Sequence, residues 1–379
     1  MREIENADGL GENRSSVDEV TVRALAALVL RQARTAIVDG RMVCGIDRRP
    51  GSAIGLIPED RKAMALVSRA CLIAGMPDRG AEIHELLACC NSPLRDWLPL
   101  GDDASLKYGS LRLINEDTGT PSPETFEVAN GFSNLTAGVE EALFQRLTEI
   151  LDRQPTERAN HFYTTVREFV VRHPVCDDAD LKQLYEDLPT ALWVFLQQIY
   201  EIVPSAWAID NEVPCCAYCG NAMRGSVGGH LSCRSGSCRA KNQPSRPGVL
   251  KPLEGLLRVT RGIRQYWVEP GVDEIALFDA LKERGVCAQL YPFRDRVDIA
   301  IAEVGIDLKA YSSPELLGAR IRRNRGGLAH YEKKWLVIPD WLLNATPSYL
   351  ERLFVALESA RPLVRCLSAS DAYRELTDA

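Results

Sequence analysis

The stretch Arg296–Tyr311, RVDIAIAEVGIDLKAY, constrains the fold more than any other part of the chain. It reads as two short strands, VDIAIA and GIDLKA, joined at a turn near Glu303-Val304-Gly305. Each strand carries a carboxylate where a half-buried strand favours an apolar residue: Asp298 in the first, Asp307 in the second. Asp307 and Lys309 are two apart, so they share one strand face. An even register across the turn adds Asp298 to that face, whereas a bulge at Gly305 shifts the parity, and the sequence leaves both open. Two carboxylates and an ammonium are costly to bury unless a cation neutralises them. A hard divalent ion does so through carboxylate oxygens and keeps positions for water and phosphate. The neighbouring lysine then orients or activates the attacking water, a layout for metal-assisted phosphodiester hydrolysis. The bland reading of the same residues is an exposed hairpin with a surface ion pair.

Asp298, followed nine residues later by Asp307-Leu308-Lys309, resembles the D…(D/E)-x-K signature of the PD-(D/E)xK restriction-endonuclease-like superfamily. The surrounding elements give that resemblance its context. GVDEIALFDALKERG reads as an amphipathic helix with Ile275, Leu277, Phe278 and Leu281 inward and Gly285 closing it. CAQLYP reads as a strand, and the hairpin follows. SPELLGARIRRN is a helix with Pro314 near its start, and KKWLVIP a strand ended by Pro339. PSYLERLFVALESA is a helix and PLVRCLS a final strand. The order α-β-β-β-α-β-α-β is the one expected of a restriction-endonuclease-like core.

The resemblance implies Mg²⁺ or Mn²⁺ bound by Asp298 and Asp307, with the Leu308 carbonyl as a further ligand and Lys309 acting on water. It also points to an acidic residue on the preceding helix. Glu274 is the position carried over, with Asp273 and Glu269 as neighbours. Acidic residues near a helix N-terminus are favoured by the dipole in any case. Asp295 precedes the strand and is expected to face solvent. Arg320, Arg322, Arg323 and Arg325, with Lys333 and Lys334 beyond, suit a nucleic-acid backbone, although such runs also make solvated helix faces. Tyr311 and Trp335 are read as core.

A second block, PCCAYCGNAMRGSVGGHLSCRSGSCRA, holds five of the chain's twelve cysteines. Cys216-x-x-Cys219, thirteen intervening residues and Cys233-x₄-Cys238 give two thiolate pairs that can close a tetrahedral Zn²⁺ site. Cys215 can replace Cys216, and His230 is a weaker substitute for Cys233. Arg224, Arg234, Arg239 and Lys241 offer this module a modest contact with nucleic acid. The other cysteines, Cys44, Cys71, Cys89, Cys90, Cys176, Cys287 and Cys366, are read as buried small hydrophobes.

From about Val20 to Pro204 apolar residues recur at helical spacing, as in VTVRALAALVLRQAR and ERANHFYTTVREFVVRH. No phosphate-binding loop occurs there, so an NTPase role has no support. NQPSRPGVLKP reads as a linker, and LLRVTRGIRQYWVEPG as an extended or hairpin segment. The fold class expected is therefore multidomain: an α-helical N-terminal half, a four-cysteine zinc ribbon and a C-terminal α/β restriction-endonuclease-like domain. The boundaries are a disordered tail over 1–19, a helical scaffold or interaction domain over 20–204, a zinc-ribbon-like module over 205–244 and the nuclease-like domain over 245–379.

This architecture, with the YP…D-x-VDIAI…GIDLK segment, also resembles the nuclease partner in prokaryotic three-gene islands that carry a Piwi-like protein. That implies DNA as substrate, a Piwi- or Argonaute-like protein and a helicase as partners, and a role in defence against foreign DNA. Cutting both strands takes two such sites, so a homodimer is consistent with it. The alternative is a non-catalytic zinc-ribbon adaptor or scaffold subunit of a nucleic-acid-processing complex. The net charge of −7 argues against a uniformly basic nucleic-acid binder. From Lys251 onward, however, 19 Lys and Arg stand against 18 Asp and Glu, leaving 26 against 34 in the rest, so a nucleic-acid footprint belongs C-terminal. No run suits a membrane span or a signal peptide, and a cytoplasmic protein is expected.

Overall fold

The computed structural model describes residues 8–38, 41–46, 55–116, 118–129, 146–185, 188–225, 231–233, 235, 238, 246–358 and 363–378. They form two compact units. One comprises Met1–Thr35, Cys44–Gly138 and Tyr311–Leu317; the other comprises Ala36–Val43, Val139–Ala310 and Gly318–Ala379.

The first unit is helical. Helix α1 (Asp8–Gln32) is followed by strands β1 (Ala33–Val38) and β2 (Arg41–Ile46), which pair and whose residues Ala36–Val43 belong to the second unit, and by helices α2 (Pro58–Ile73), α3 (Ile83–Cys89), α4 (Asp102–Tyr108) and α5 (Pro123–Ala129). Leu25, Leu28 and Val29 of α1 pack in a core with Ala63, Val67 and Cys71 of α2, a stripe repeating every four residues. Asp60, buried beneath that stripe, is paired with Arg31 at 2.6 Å. Helix α1 extends well into the segment expected as a tail: Asp18 is buried and its carboxylate accepts the Gly101 N–H at 2.8 Å.

From Thr156 the second unit holds α6 (Thr156–Arg172), β3 (Val175–Cys176), α7 (Asp178–Tyr185), α8 (Thr190–Ile199) and β4 (Tyr200–Ile202). Helix α6, grouped by sequence with the helical half, thus belongs to the unit that carries the hairpin. The cysteine-rich part contains β5 (Glu212–Cys216), β6 (Arg224–Gly225), β7 (Leu231–Ser232) and β8 (Pro247–Pro252). Strand β8 pairs antiparallel with β5, so the second half of the expected linker is a strand; its first residues, 242–245, lie outside the described residues. Strand β9 (Leu257–Val259) sits between β3 and β4.

Beyond β9 the chain is helical from Arg261 through a π-helical turn, Arg264–Val268, into α9 (Glu269–Glu283). An extended segment was expected because Tyr266, Trp267 and Val268 favour strands. All three are buried, and packing on every side overrides propensity. On α9, Ile275, Leu277, Phe278 and Leu281 are buried as expected, and Gly285 follows at φ 79°.

The remaining strands are β10 (Gln289–Leu290), β11 (Ile299–Ile301), β12 (Val304–Leu308), β13 (Lys333–Ile338) and β14 (Arg365–Ser368), with helices α10 (Pro314–Arg323), α11 (Tyr349–Leu357) and α12 (Ala369–Thr377). They make one five-stranded sheet in the order β10-β11-β12-β13-β14. β10 to β12 are antiparallel, and β13 and β14 run parallel to β12. To the element order expected from sequence the structure adds short helices at Pro292–Asp295 and Asp340–Ala345 and, after β14, α12, whose first turn is capped by Ser368 Oγ accepting the Asp371 N–H. Leu336, Val337 and Ile338 of β13 are fully buried, as suits a central strand covered on both faces. Among the described residues no helix is long and apolar enough to cross a membrane.

Candidate active site and metal centre

Register decides what the hairpin presents. Ile299 pairs with Ile306, Ala300 with Gly305 and Ile301 with Val304, which sets Asp298 opposite Asp307 one step on. Opposed residues of antiparallel strands point to the same face. The turn is Ala302-Glu303, one residue earlier than expected, with Ala302 at φ 48°. Gly305 makes no bulge. It is glycine because a Cβ there would lie 2.5 Å from the Tyr331 ring.

Lys309 Nζ donates to Asp307 Oδ1 at 2.6 Å and lies 3.8 Å from Asp298 Oδ2. Asp298 Oδ2 also accepts the Leu308 N–H at 2.5 Å. The ammonium thus stands between the two carboxylates. Burial alone would lower Lys309, but Asp298 and Asp307 outweigh it and hold its pKa above the usual lysine range. Asp298 is 5% exposed, and burial, reinforced by Glu274, pushes its carboxyl well above the usual range.

Glu274 reaches the cluster from α9. It is 3% exposed and accepts the Tyr291 hydroxyl at 2.7 Å. Burial lifts its pKa up to about 7, against the opposing pull of Arg167. Its neighbours go elsewhere: Asp273 accepts the Trp341 indole N–H at 2.8 Å and the Tyr218 hydroxyl, and Glu269 lies 3.7 Å from Arg264. Asp295 does not face solvent as expected. It accepts the Tyr163 hydroxyl at 3.0 Å, lies 3.9 Å from Arg167 Nε, and is raised above the usual carboxyl range by burial. The chain delivers it by a left-handed run, with φ of 48° at Tyr291, 54° at Phe293, 62° at Arg294 and 66° at Asp295. Such backbone is rare for residues with a Cβ and persists where its surroundings over-determine it.

Tyr163, Arg167 and Tyr291 are the site residues that sequence reading missed. Arg167 is 4% exposed and lies 3.7 Å from Glu274 Oε2. A signal existed: Tyr163, Val166, Arg167 and Val170 form the apolar stripe of α6, and an arginine belongs there only with buried partners. Glycine at 271 brings α6 and α9 together, since a Cβ there would lie 2.5 Å from a Val171 methyl.

Of the four expected nucleic-acid-binding arginines, Arg320 is half-buried with its charge acting on Lys309. Arg322 and Arg323 are exposed, Arg322 being paired with Glu358, and Arg325 is half-buried. Tyr311 and Trp335 are core residues.

The second centre joins Cys216, Cys219, Cys233 and Cys238, whose sulfurs all lie within 4.8 Å of one another. Cys216 Sγ is 3.8 Å from Cys238 Sγ and Cys219 Sγ is 3.5 Å from Cys233 Sγ. A tetrahedron of Zn–S bonds of about 2.3 Å has edges of about 3.8 Å, so the four thiols can hold a structural metal such as zinc. The Asn221 amide donates to Cys219 Sγ at 3.3 Å, the kind of outer contact that steadies a ligating sulfur. Cys215 is excluded from the cluster: it packs with Val203, Val213 and Leu256, and burial raises it to about 11. His230, Arg234, Arg239 and Lys241 lie outside the described residues. Of the scattered cysteines, Cys71, Cys90, Cys176 and Cys366 are buried, Cys89 is half-buried, and Cys287 is exposed, contrary to expectation. Cys44 has no described side chain.

Neither curated proteins nor solved structures give a match to the chain. Two family models do. Residues 271–378, with the sheet and the carboxylate cluster, match the family described as REase associating with pPIWI_RE. Residues 58–177, which include α6, match the family described as pPIWI_RE three-gene island domain Y. Over these two segments the chain is therefore similar to domains of pPIWI_RE three-gene islands.

Proposed function

We propose that this chain is a divalent-metal-dependent endonuclease that hydrolyses phosphodiester bonds in DNA, built on a restriction-endonuclease-like C-terminal domain. One observation carries the reading: Asp298 and Asp307 stand opposite each other on one face of a buried hairpin, with Lys309 beside both. Asp298 and Asp307 bind Mg²⁺ or Mn²⁺, the Leu308 carbonyl adds a ligand, and Glu274 is a further acidic group. The metal, when bound, polarises a phosphate oxygen and lowers the pKa of water. Lys309, beside Asp298 and Asp307, would orient the attacking water. Arg320, Arg322, Arg323 and Arg325 hold the nucleic-acid backbone. Zn²⁺ on the four cysteines is structural.

The similarity to pPIWI_RE island domains supports a place in defence beside a Piwi-like protein; foreign DNA as the target and a helicase as a second partner complete the proposal. A homodimer would supply the two sites that double-strand cleavage needs. The test is cleavage of linear and circular DNA with Mg²⁺ or Mn²⁺ by wild type, Asp307→Ala and Lys309→Ala. Metal-dependent cutting that both folded variants lose supports the reading, and cutting that survives in both sinks it. A non-catalytic adaptor would show no dependence on either metal.

A further inference from the structure

Glu274 and Asp295 each accept a tyrosine hydroxyl and share one arginine. Tyr291 donates to Glu274, Tyr163 donates to Asp295, and Arg167 lies between the two at 3.7 Å and 3.9 Å. Arg167 is also placed over the Trp267 and Tyr291 rings, at 5.2 Å and 5.3 Å, which fixes its guanidinium plane. Among the described residues, its Nε and Nη1 are buried without a hydrogen-bond partner, and so is Asp295 Oδ1. A buried donor and a buried carboxylate oxygen left unsatisfied side by side are expensive. The carboxylate oxygen can take a cation or the proton of a metal-bound water, whereas the guanidinium, a donor only, takes an acceptor such as a carboxylate oxygen, which ties it to Glu274 and Asp295. With all four carboxyls ionised, Glu274, Asp295, Asp298 and Asp307 against Lys309 and Arg167 are four negative and two positive, which leaves the two negative charges that one divalent cation would neutralise.

Arg167 and Tyr163 come from α6, inside the 58–177 match, whereas all four carboxylates come from the 271–378 match. We infer that the site is composite: Arg167, with Tyr163, is the positioning residue that holds Glu274 and Asp295 toward the metal bound at Asp298 and Asp307. The segment 271–378 therefore supplies the carboxylates but not their full support. This inference rests on the metal-dependent nuclease reading above, and it adds Asp295 and α6 to that site.

The experiment is Mn²⁺ binding to the full chain by electron paramagnetic resonance, with zinc content and melting temperature recorded for every variant. Wild type, Arg167→Met, Arg167→Lys and Tyr163→Phe are compared, and Asp307→Ala identifies the signal from the carboxylate site. Arg167→Met is expected to weaken Mn²⁺ binding by about tenfold or more with zinc content unchanged, and Arg167→Lys to recover most of the loss. A structural role alone would lower melting without this recovery. Wild-type Mn²⁺ binding in a folded Arg167→Met overturns the inference and leaves the nuclease reading standing. Should Arg167→Met not fold, Tyr163→Phe decides: weakening of several-fold supports the inference, and unchanged binding overturns it. Wild type that binds no Mn²⁺ overturns the nuclease reading itself, and this inference with it.

Discussion

Lys309 is placed by a two-residue offset from Asp307 and by the register that sets Asp298 across from it. This much was legible, because strand alternation is a fixed geometry and the signature lies on it. A lysine working on water at a metal site contributes in the range of general acid–base groups, so Lys309→Ala is expected to slow cleavage by about a hundredfold or more, measured in single turnover. Glu274 gives a pH signature. Its folded pKa is about 7 against an ordinary 4.5, so the folded chain holds this proton more tightly than the unfolded one. The resulting stability is present below about 4.5 and is lost as pH rises to 7. Urea titrations of the metal-free carboxylate site should show wild type weakening across that window by roughly 2–3 kcal/mol more than Glu274→Gln, which carries no titrating proton. Equal pH slopes would contradict the assigned burial. Arg167 was illegible for a plain reason: its partners lie more than a hundred residues away, and a helical stripe shows that a charge is buried without naming what it meets.

At the scale of elements, α9 ties the two centres together. Val272 packs against the cysteine cluster, Asp273 accepts the Tyr218 hydroxyl from the Cys216–Cys219 turn, and Glu274 enters the carboxylate site. The cysteine spacing was read correctly as a four-thiol cluster, but the choice between Cys215 and Cys216 needed β5, whose alternation sends adjacent side chains to opposite faces. Cobalt-substituted protein should therefore keep its thiolate absorption bands in Cys215→Ser and lose them in Cys216→Ser; the reverse pattern would contradict the assignment. Close approach of α6 and α9 rests on Gly271, and Gly271→Ala is expected to cost about 1–3 kcal/mol by overpacking against Val171, read from denaturation midpoints. The hairpin β1–β2 and the helical course of Arg261–Val268 were missed for different reasons. Asp39-Gly40 between β-branched runs is a hairpin signal that the surrounding helical pattern masked, whereas the aromatic run before α9 is a strand former held helical by burial.

At the scale of the molecule, the helix that carries Arg167 and the sheet that carries the carboxylates share one compact unit, although each matches a different family model. The boundary between the helical unit and the unit that carries the carboxylates could not be placed from composition, since α6 has the same amphipathic pattern as helices of the first unit. A sequence names the parts; the long-range pairings assign them to units. One position decides the function, the space bounded by Asp298, Asp307 and Lys309. Its most direct test is an anomalous difference map from crystals of the full chain soaked in Mn²⁺. A peak within bonding distance of both Asp298 and Asp307, with Lys309 Nζ moved off Asp307, is the expected result. Ordered carboxylates with no peak, and Lys309 still bonded to Asp307, would contradict a metal-dependent nuclease site on this hairpin.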